Sequence, residues 1–366
     1  MKSVINEFKH IEFPQLISIG SNMLQTLPEV IDRLQLRGDV LVITDEYLKS
    51  RIAKTVEEIL IDAKVGEVTV SSIHDSSLSD VDTQLDVLNE TKASFVIGLG
   101  GGKPIDVAKL VSYKANQRFI SIPTVCSHDG IASSRASLKG IDKRHSIQAR
   151  PPIAVVADTD ILDKSPYRFS AAGCGDIIAK KTAIKDWLLA YRLKYEPISE
   201  YAIALSEMTV KLVTQNAGII KTKAEGYSRI VIKALISSSL AMCVAGSSRP
   251  GSGSEHMFSH ALDIIAEKPA LHGEQCALGT VLMAYLHDLD WEHIKHIMQE
   301  IGLPTRAKEL GLKDEEVIRA LEIAHTIRPE RFTILGKEGL THKAAVAAAE
   351  NTGAVSYTHL TLPTKA

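Results

Sequence analysis

The chain has 366 residues, enough for about two domains at roughly 150 residues each. Its hydrophobic (45%) and charged (23%) fractions are those of a globular protein, which excludes a disordered or fibrous chain. Lysine and arginine number 42 against 44 aspartates and glutamates, a net charge of −2. No global basic field therefore draws it to nucleic acid or anionic lipid.

The opening MKSVINEFKH lacks the apolar core of a signal peptide. No apolar run is expected to approach the roughly 20 residues of a membrane span. Four widely spaced cysteines, Cys126, Cys174, Cys243 and Cys276, form no CxxC pair. A cytoplasmic protein without disulfides is expected.

Short apolar runs at 40–44, 68–71, 95–98, 119–123 and 154–158 read as strands buried in a parallel sheet. Helical patterns over about 46–63, 80–92 and 104–114 lie between them. This alternation predicts an α/β domain over 1–165. Beyond Pro166 helical periodicity recurs at 178–193, 200–220, 228–244, 255–266, 276–287 and 315–325, with no strand among them. An all-helical domain over 166–355 is predicted. An alanine-rich helix ends near 352–353. Residues 356–366 (SYTHLTLPTKA) share no pattern with the rest, resemble translated adapter sequence, and are expected to be a non-native tail.

Residues 98–106 (GLGGGKPID) join a predicted strand to a predicted helix. Glycines there let backbone approach an anion, and the helix N-terminus offers free N–H groups to a phosphate. The spacing is neither GxGxxG nor a Walker A motif, and a tight turn without a ligand is the plain alternative. Asp45 ends the 40–44 strand. It can accept from an adenosine ribose hydroxyl, which favours NAD, or cap the following helix; the two roles are compatible.

In the helical half, Asp176 follows Gly-Cys-Gly, His256 and His260 stand four apart on one helix, and His272 opens another. Asp and His are donors that catalytic zinc takes. Spacing alone does not bind these residues into one site, and it makes His260 as good a candidate as His256.

Taken in order, 100–109 (GGGKPIDVAK), 122–134 (IPTVCSHDGIASS), 174–177 (CGDI), 252–260 (SGSEHMFSH) and 271–275 (LHGEQ) resemble the sn-glycerol-1-phosphate dehydrogenases. These belong to the iron-type alcohol dehydrogenase/dehydroquinate synthase superfamily. The resemblance runs from about Phe13 to Gly353, and 127–137 (SHDGIASSRAS) is its most specific part. It implies an α/β dinucleotide domain, a helical metal-binding domain and an active-site cleft between them. It implies metal ligands Asp176, His256 and His272, and substrate contacts Asp129, Asp176 and His260. It implies NAD or NADP contacts at Gly102, Lys103, Pro104, Ile105, Asp106, Thr124, Val125, Cys126, Ser127 and Ser133. The metal is expected to be Zn2+, with Ni2+ taking the same donors. The expected reaction is NAD(P)H-dependent reversible reduction of dihydroxyacetone phosphate to sn-glycerol 1-phosphate, for archaeal-type ether lipids, by a homo-oligomer. The alternative is a related polyol dehydrogenase acting on unphosphorylated substrate.

A phosphorylated substrate needs a counter-charge. Arg135, Lys139, Lys143, Arg144 and His145 follow the substrate motif, and one or two of them are expected at the phosphate, the others on a solvated hairpin. The cysteines near these motifs are expected to be packing residues, because the reaction needs no covalent intermediate.

Overall fold

The structure, a computed structural model, describes residues 11–139 and 144–356, with only the backbone of 144–146. Six strands form one sheet: β1 (Leu16–Gly20), β2 (Val40–Asp45), β3 (Val68–Ile73), β4 (Phe95–Gly100), β5 (Arg118–Pro123) and β8 (Ala154–Asp158). Their order is β1-β8-β5-β4-β2-β3, and every neighbouring pair is parallel. β6 (Arg135–Lys139) and β7 (Arg144–Gln148) form a separate antiparallel hairpin.

The apolar runs identify five of the six sheet strands. β2, β4 and β8 are buried almost throughout, which is why they read as continuous apolar segments. β1 stands at the sheet edge, pairs only with β8 and is half-exposed, so LISIG carries no such run. No strand follows Asp158 among the described residues; helices and short turns carry the chain from there. The pattern over 46–63 breaks at Ser50–Arg51 into two helices. That over 178–193 belongs to two helices, Tyr167–Ile178 and Lys180–Lys194. Trp291–Ile301 is a further helix, and it buries Ile294, Ile297, Met298 and Ile301 at helical spacing.

One expectation needs correcting. Helix Tyr227–Ala245 has 19 residues and a mean hydropathy of 1.5, long and apolar enough to cross a membrane by length and composition. More than half of it is buried, with Val231, Ile232 and Leu235 in the core. Its apolarity is that of a core helix, hydrophobic nearly all round.

One apolar cluster runs from Leu41, Val96 and Val155 of the sheet to Val231, Leu235 and Ala277 of the helices. A second fills the opposite face of the sheet, and a third lies among the C-terminal helices. Because the strands are parallel, Asp45, Gly100 and Pro123 all end at one edge. β3 flanks β2 on one side and β4 on the other. The C-terminal ends of β2 and β4 therefore border a topological switch point, where open parallel sheets bind ligands.

Candidate active site

At this edge β4 passes into helix Gly102–Lys114 through Gly100 (φ +144°) and Gly101. No side chain caps that helix, so its first N–H groups remain available to an anion. A Cβ at Gly102 would overlap the His128 ring, so glycine is required for this approach. Asp45 caps the helix after β2, accepting from Leu48 N at 2.9 Å.

The other expected cofactor residues line the same edge unequally. Lys103 is exposed and pairs with Asp75 at 2.8 Å. Pro104, Ile105 and Cys126 are buried, and Val125 lies beside Gly101. Thr124 N donates to the Gly100 carbonyl at 3.0 Å. Asp106 has both oxygens engaged, by Lys109 Nζ at 3.0 Å and Ser137 N at 3.0 Å, which ties the helix to β6. Ser127 is half-buried; Ser133 is buried, with its hydroxyl near the Arg135 backbone.

The Asp and His candidates converge from three helices. Asp176 lies near the end of Tyr167–Ile178, His256 in the first turn of Ser254–Ile265, and His272 at the start of His272–Leu286. His256 Nε2 lies 3.4 Å from Asp176 Oδ1, and the His256 and His272 rings are 4.9 Å apart. Each imidazole is held from behind. Glu255 Oε1 lies 2.8 Å from His256 Nδ1, and Ser259 Oγ lies 3.1 Å from His272 Nδ1. Glu255 is itself buried and accepts from Gly253 N at 2.6 Å and Thr182 Oγ1 at 2.8 Å. A carboxylate behind a histidine is the usual support for a metal-binding imidazole. Both rings thus turn Nε2 inward, and the donor set fits a divalent cation.

The most compact donor trio adds a residue read from sequence as packing. His256, His272 and Cys276 offer donor atoms within 4.8 Å of one another. Cys276 Sγ lies 3.6 Å from His272 Nε2, and burial raises its thiol pKa, favouring the neutral form. Cys126, Cys174 and Cys243 are buried too, and burial pushes the Cys174 thiol up to about 12.

Burial opposes ionisation of Asp176, yet Lys180 and His256 hold its carboxyl well below the ordinary range. Burial likewise opposes protonation of His256, but Cys276, Asp176 and Glu255 together raise it. His272 is pushed down by burial and by the neighbouring His256. His260 is not pressed into the trio. It stacks on His272 at 5.6 Å, its Nδ1 lies 3.4 Å from Asp263, and burial lowers its pKa.

Lys180, unmarked by any sequence pattern, is completely buried one turn after Asp176. Its Nζ lies 2.6 Å from Asp176 Oδ1 and 2.9 Å from Asp129 Oδ2. Asp129 also donates its backbone N–H to Asp176 Oδ2 at 2.8 Å and accepts from Ser238 Oγ at 2.7 Å. Asp129 thereby joins the sheet-side loop to the metal-type cluster. The contact is close: a Cβ at Gly173 would overlap the Cys126 carbonyl, and one at Gly273 the Ala172 carbonyl.

The proposed phosphate cations are scattered. Lys139 pairs with Asp75 at 3.3 Å, while Arg135 faces a cavity beside Ser248. Lys143 and the side chains of Arg144 and His145 lie outside the described residues. Arg328 and Arg331, which no motif marked, donate to Ser248 Oγ instead.

Comparison with known proteins places this geometry. A family model for iron-containing alcohol dehydrogenases matches residues 18–166. A glycerol-1-phosphate dehydrogenase [NAD(P)+] of Thermococcus sibiricus is 48% identical over 349 residues, 95% of this chain and 99% of that one. The chain belongs to the glycerol-1-phosphate dehydrogenase family. A member of that family from Methanosarcina acetivorans is 47% identical over 97% of this chain and 100% of its own. Among solved structures, a probable glycerol dehydrogenase of Sinorhizobium meliloti shares the fold with a TM-score of 0.79 at 21% identity, covering 95% of this chain and 99% of that one. A sulfoacetaldehyde reductase of Bifidobacterium kashiwanohense, solved with NAD+, has a TM-score of 0.70 at 18% identity, covering 95% and 99%. These two speak for the fold.

Proposed function

We propose that the protein catalyses reversible, NAD(P)H-dependent reduction of dihydroxyacetone phosphate to sn-glycerol 1-phosphate. The observation that carries this reading is identity near 48%, over almost the full length, to relatives named for that enzyme. The residues on both sides of the site suit the chemistry. Gly101 and Gly102 receive the cofactor pyrophosphate at the helix N-terminus, with Asp45 at the ribose. Lys103 to Asp106, Thr124 to Ser127 and Ser133 frame it. Asp176, His256 and His272 hold a zinc ion, and nickel suits the same donors.

When bound, zinc supplies Lewis acidity at the ketone oxygen and NAD(P)H supplies the hydride. The chain's own groups do the rest. Glu255 and Ser259 fix the two imidazoles. Lys180 offsets one of the two charges of the paired carboxylates of Asp129 and Asp176 and keeps both in place. Asp129 and His260 orient the substrate hydroxyl, and His260, backed by Asp263, passes the proton that completes the alcohol.

The product serves as an ether-lipid backbone, the enzyme works as a cytoplasmic homo-oligomer, and its α/β and helical regions divide at 165/166. A stereospecific assay tests the reading: sn-glycerol 1-phosphate and sn-glycerol 3-phosphate are offered separately with NAD and NADP, before and after chelation. Oxidation of the 1-phosphate alone, abolished by chelation and restored by zinc, is expected. Equal turnover of both isomers, or preference for unphosphorylated glycerol, overturns it.

A further inference from the structure

Four arginines gather beside the loop 247–253, and only one is matched by an acid. Arg249 is buried and pairs with Glu196 through both carboxylate oxygens, Nε to Oε1 at 2.6 Å, while its Nη1 donates to the Phe332 carbonyl at 3.0 Å. Arg328 and Arg331 converge on a single hydroxyl. Arg328 Nη1 lies 3.2 Å and Arg331 Nη2 3.0 Å from Ser248 Oγ, and Arg331 Nη1 donates to the Ser252 carbonyl at 2.6 Å. Among the described residues no carboxylate lies within 4.0 Å of the guanidinium of Arg135, Arg328 or Arg331.

Ser248 also lines a cavity of about 150 Å³, together with Ser133, Arg135, Met242 and Ser247. At ~30 Å³ per water this holds roughly five waters, room for a tetrahedral oxyanion. Its one lining carboxylate is Glu12. The loop connects this place to the reacting centre. A Cβ at Gly251 would lie 3.0 Å from Met242 Sδ and 3.6 Å from Asp129 Oδ2. Two residues further, Gly253 N donates to Glu255, the support of His256.

We infer that Arg135 on the cavity wall, with Arg328 and Arg331 behind Ser248, forms the subsite for the phosphate of a small phosphate ester whose reacting carbon lies at the Asp129/Asp176/His256 cluster. This rests on the proposed function and names the residues that separate phosphorylated from unphosphorylated substrate. Like charges drawn to one hydroxyl are unfavourable without an anion between them, and arginine's planar fork suits phosphate. The crowding has an electrostatic trace: burial, then Arg328 and Arg249, push Arg331 down to about 9, and burial with Arg135 lowers Arg328. The 2′-phosphate of NADP presents the same chemistry. Asp45 places the adenosine end at β2, so the ester phosphate is the occupant.

Arg328→Gln is the test, because Arg331 also braces the Ser252 backbone. The zinc-loaded variant is expected to raise KM for sn-glycerol 1-phosphate roughly 10- to 100-fold, the loss of one charge-assisted contact. Its kcat/KM for glycerol and its KM for NADP stay at wild-type values. Arg328→Lys recovers part of the loss. Inorganic phosphate, measured by calorimetry, binds the wild type more tightly than the variant. An unchanged KM for the ester, an equal loss on glycerol, or a rise confined to NADP overturns the subsite. If the wild type does not oxidise the 1-phosphate, the functional reading fails by itself, and the phosphate calorimetry still decides the subsite.

Discussion

The sheet edge and the helical cluster meet at one place but are built from opposite materials. At the edge, Gly100, Gly101 and Gly102 contribute by lacking side chains, and the groups proposed to bind are uncapped backbone N–H donors. In the cluster the donors for a cation are side chains, and backbone N–H groups serve only to hold carboxylates in place. Asp176 and His256 are buried and His272 half-buried, each side chain fixed by another: Lys180, Glu255 and Ser259. A backbone site tolerates substitution wherever no Cβ intrudes. A site of linked side chains passes the loss of any member to the next.

The comparison breaks most sharply at His256. His256→Ala is expected to lower kcat by about 10²–10³-fold, in the range of lost transition-state electrostatics, and bound zinc should fall in elemental analysis. Wild-type turnover after chelation and dialysis would remove the metal from the reaction.

Gly102→Ala probes the edge. Its methyl meets His128, so KM for NAD(P)H should rise roughly 10- to 100-fold through displacement of the turn. Adding His128→Ala should return most of it. A double variant as poor as the single would mean that the overlap is not the cause.

Glu255→Gln keeps the shape of the support and removes its charge. Zinc affinity is expected to drop about 10-fold or somewhat more, read by competition with a chelating dye, while NAD(P)H affinity holds. A fall in both would show that the two regions are not separable.

The smallest effect lies at Asp75, between Lys103 of the edge and Lys139 of the hairpin. Burial opposes its ionisation, but Lys103, Ser76 and Lys139 lower it from 3.8 to about 2. Its folded pKa lies below the unfolded value. The stabilisation is therefore complete above about pH 4 and is lost as pH falls through about 2. Carboxyl NMR should show a midpoint near 2, moving upward in Lys103→Ala.

The two regions also differ in how far sequence reveals them. The glycine edge is local: strand, glycines and helix lie within residues 95–114, and periodicity with turn chemistry locates them. The cluster gathers positions 176, 256 and 272, and spacing could not rank His256 above His260. Family resemblance proposes Asp176, His256 and His272 as ligands; the structure adds the groups that hold them. Glu255 adjoins His256 in sequence and is visible there as part of an E-H pair. Lys180 gave no signal, because a lysine one turn after an aspartate is ordinary on an exposed helix; only burial makes it significant. Arg328 and Arg331 lie some eighty residues from Ser248, beyond the reach of any short motif.

The glycine at 173 sets backbone against backbone where the helix bearing Asp176 meets the Cys126 loop. Such a contact has no rotamers to adjust and little compressibility. It acts as a fixed spacer between the sites proposed for the hydride donor and for the ketone. Exchange of side chains at the rim can alter which molecule enters, but the transfer distance stays set by the main chain. Adaptation to new substrates in this architecture is thereby directed to the arginine-lined periphery, where change does not disturb the gap across which the reaction occurs.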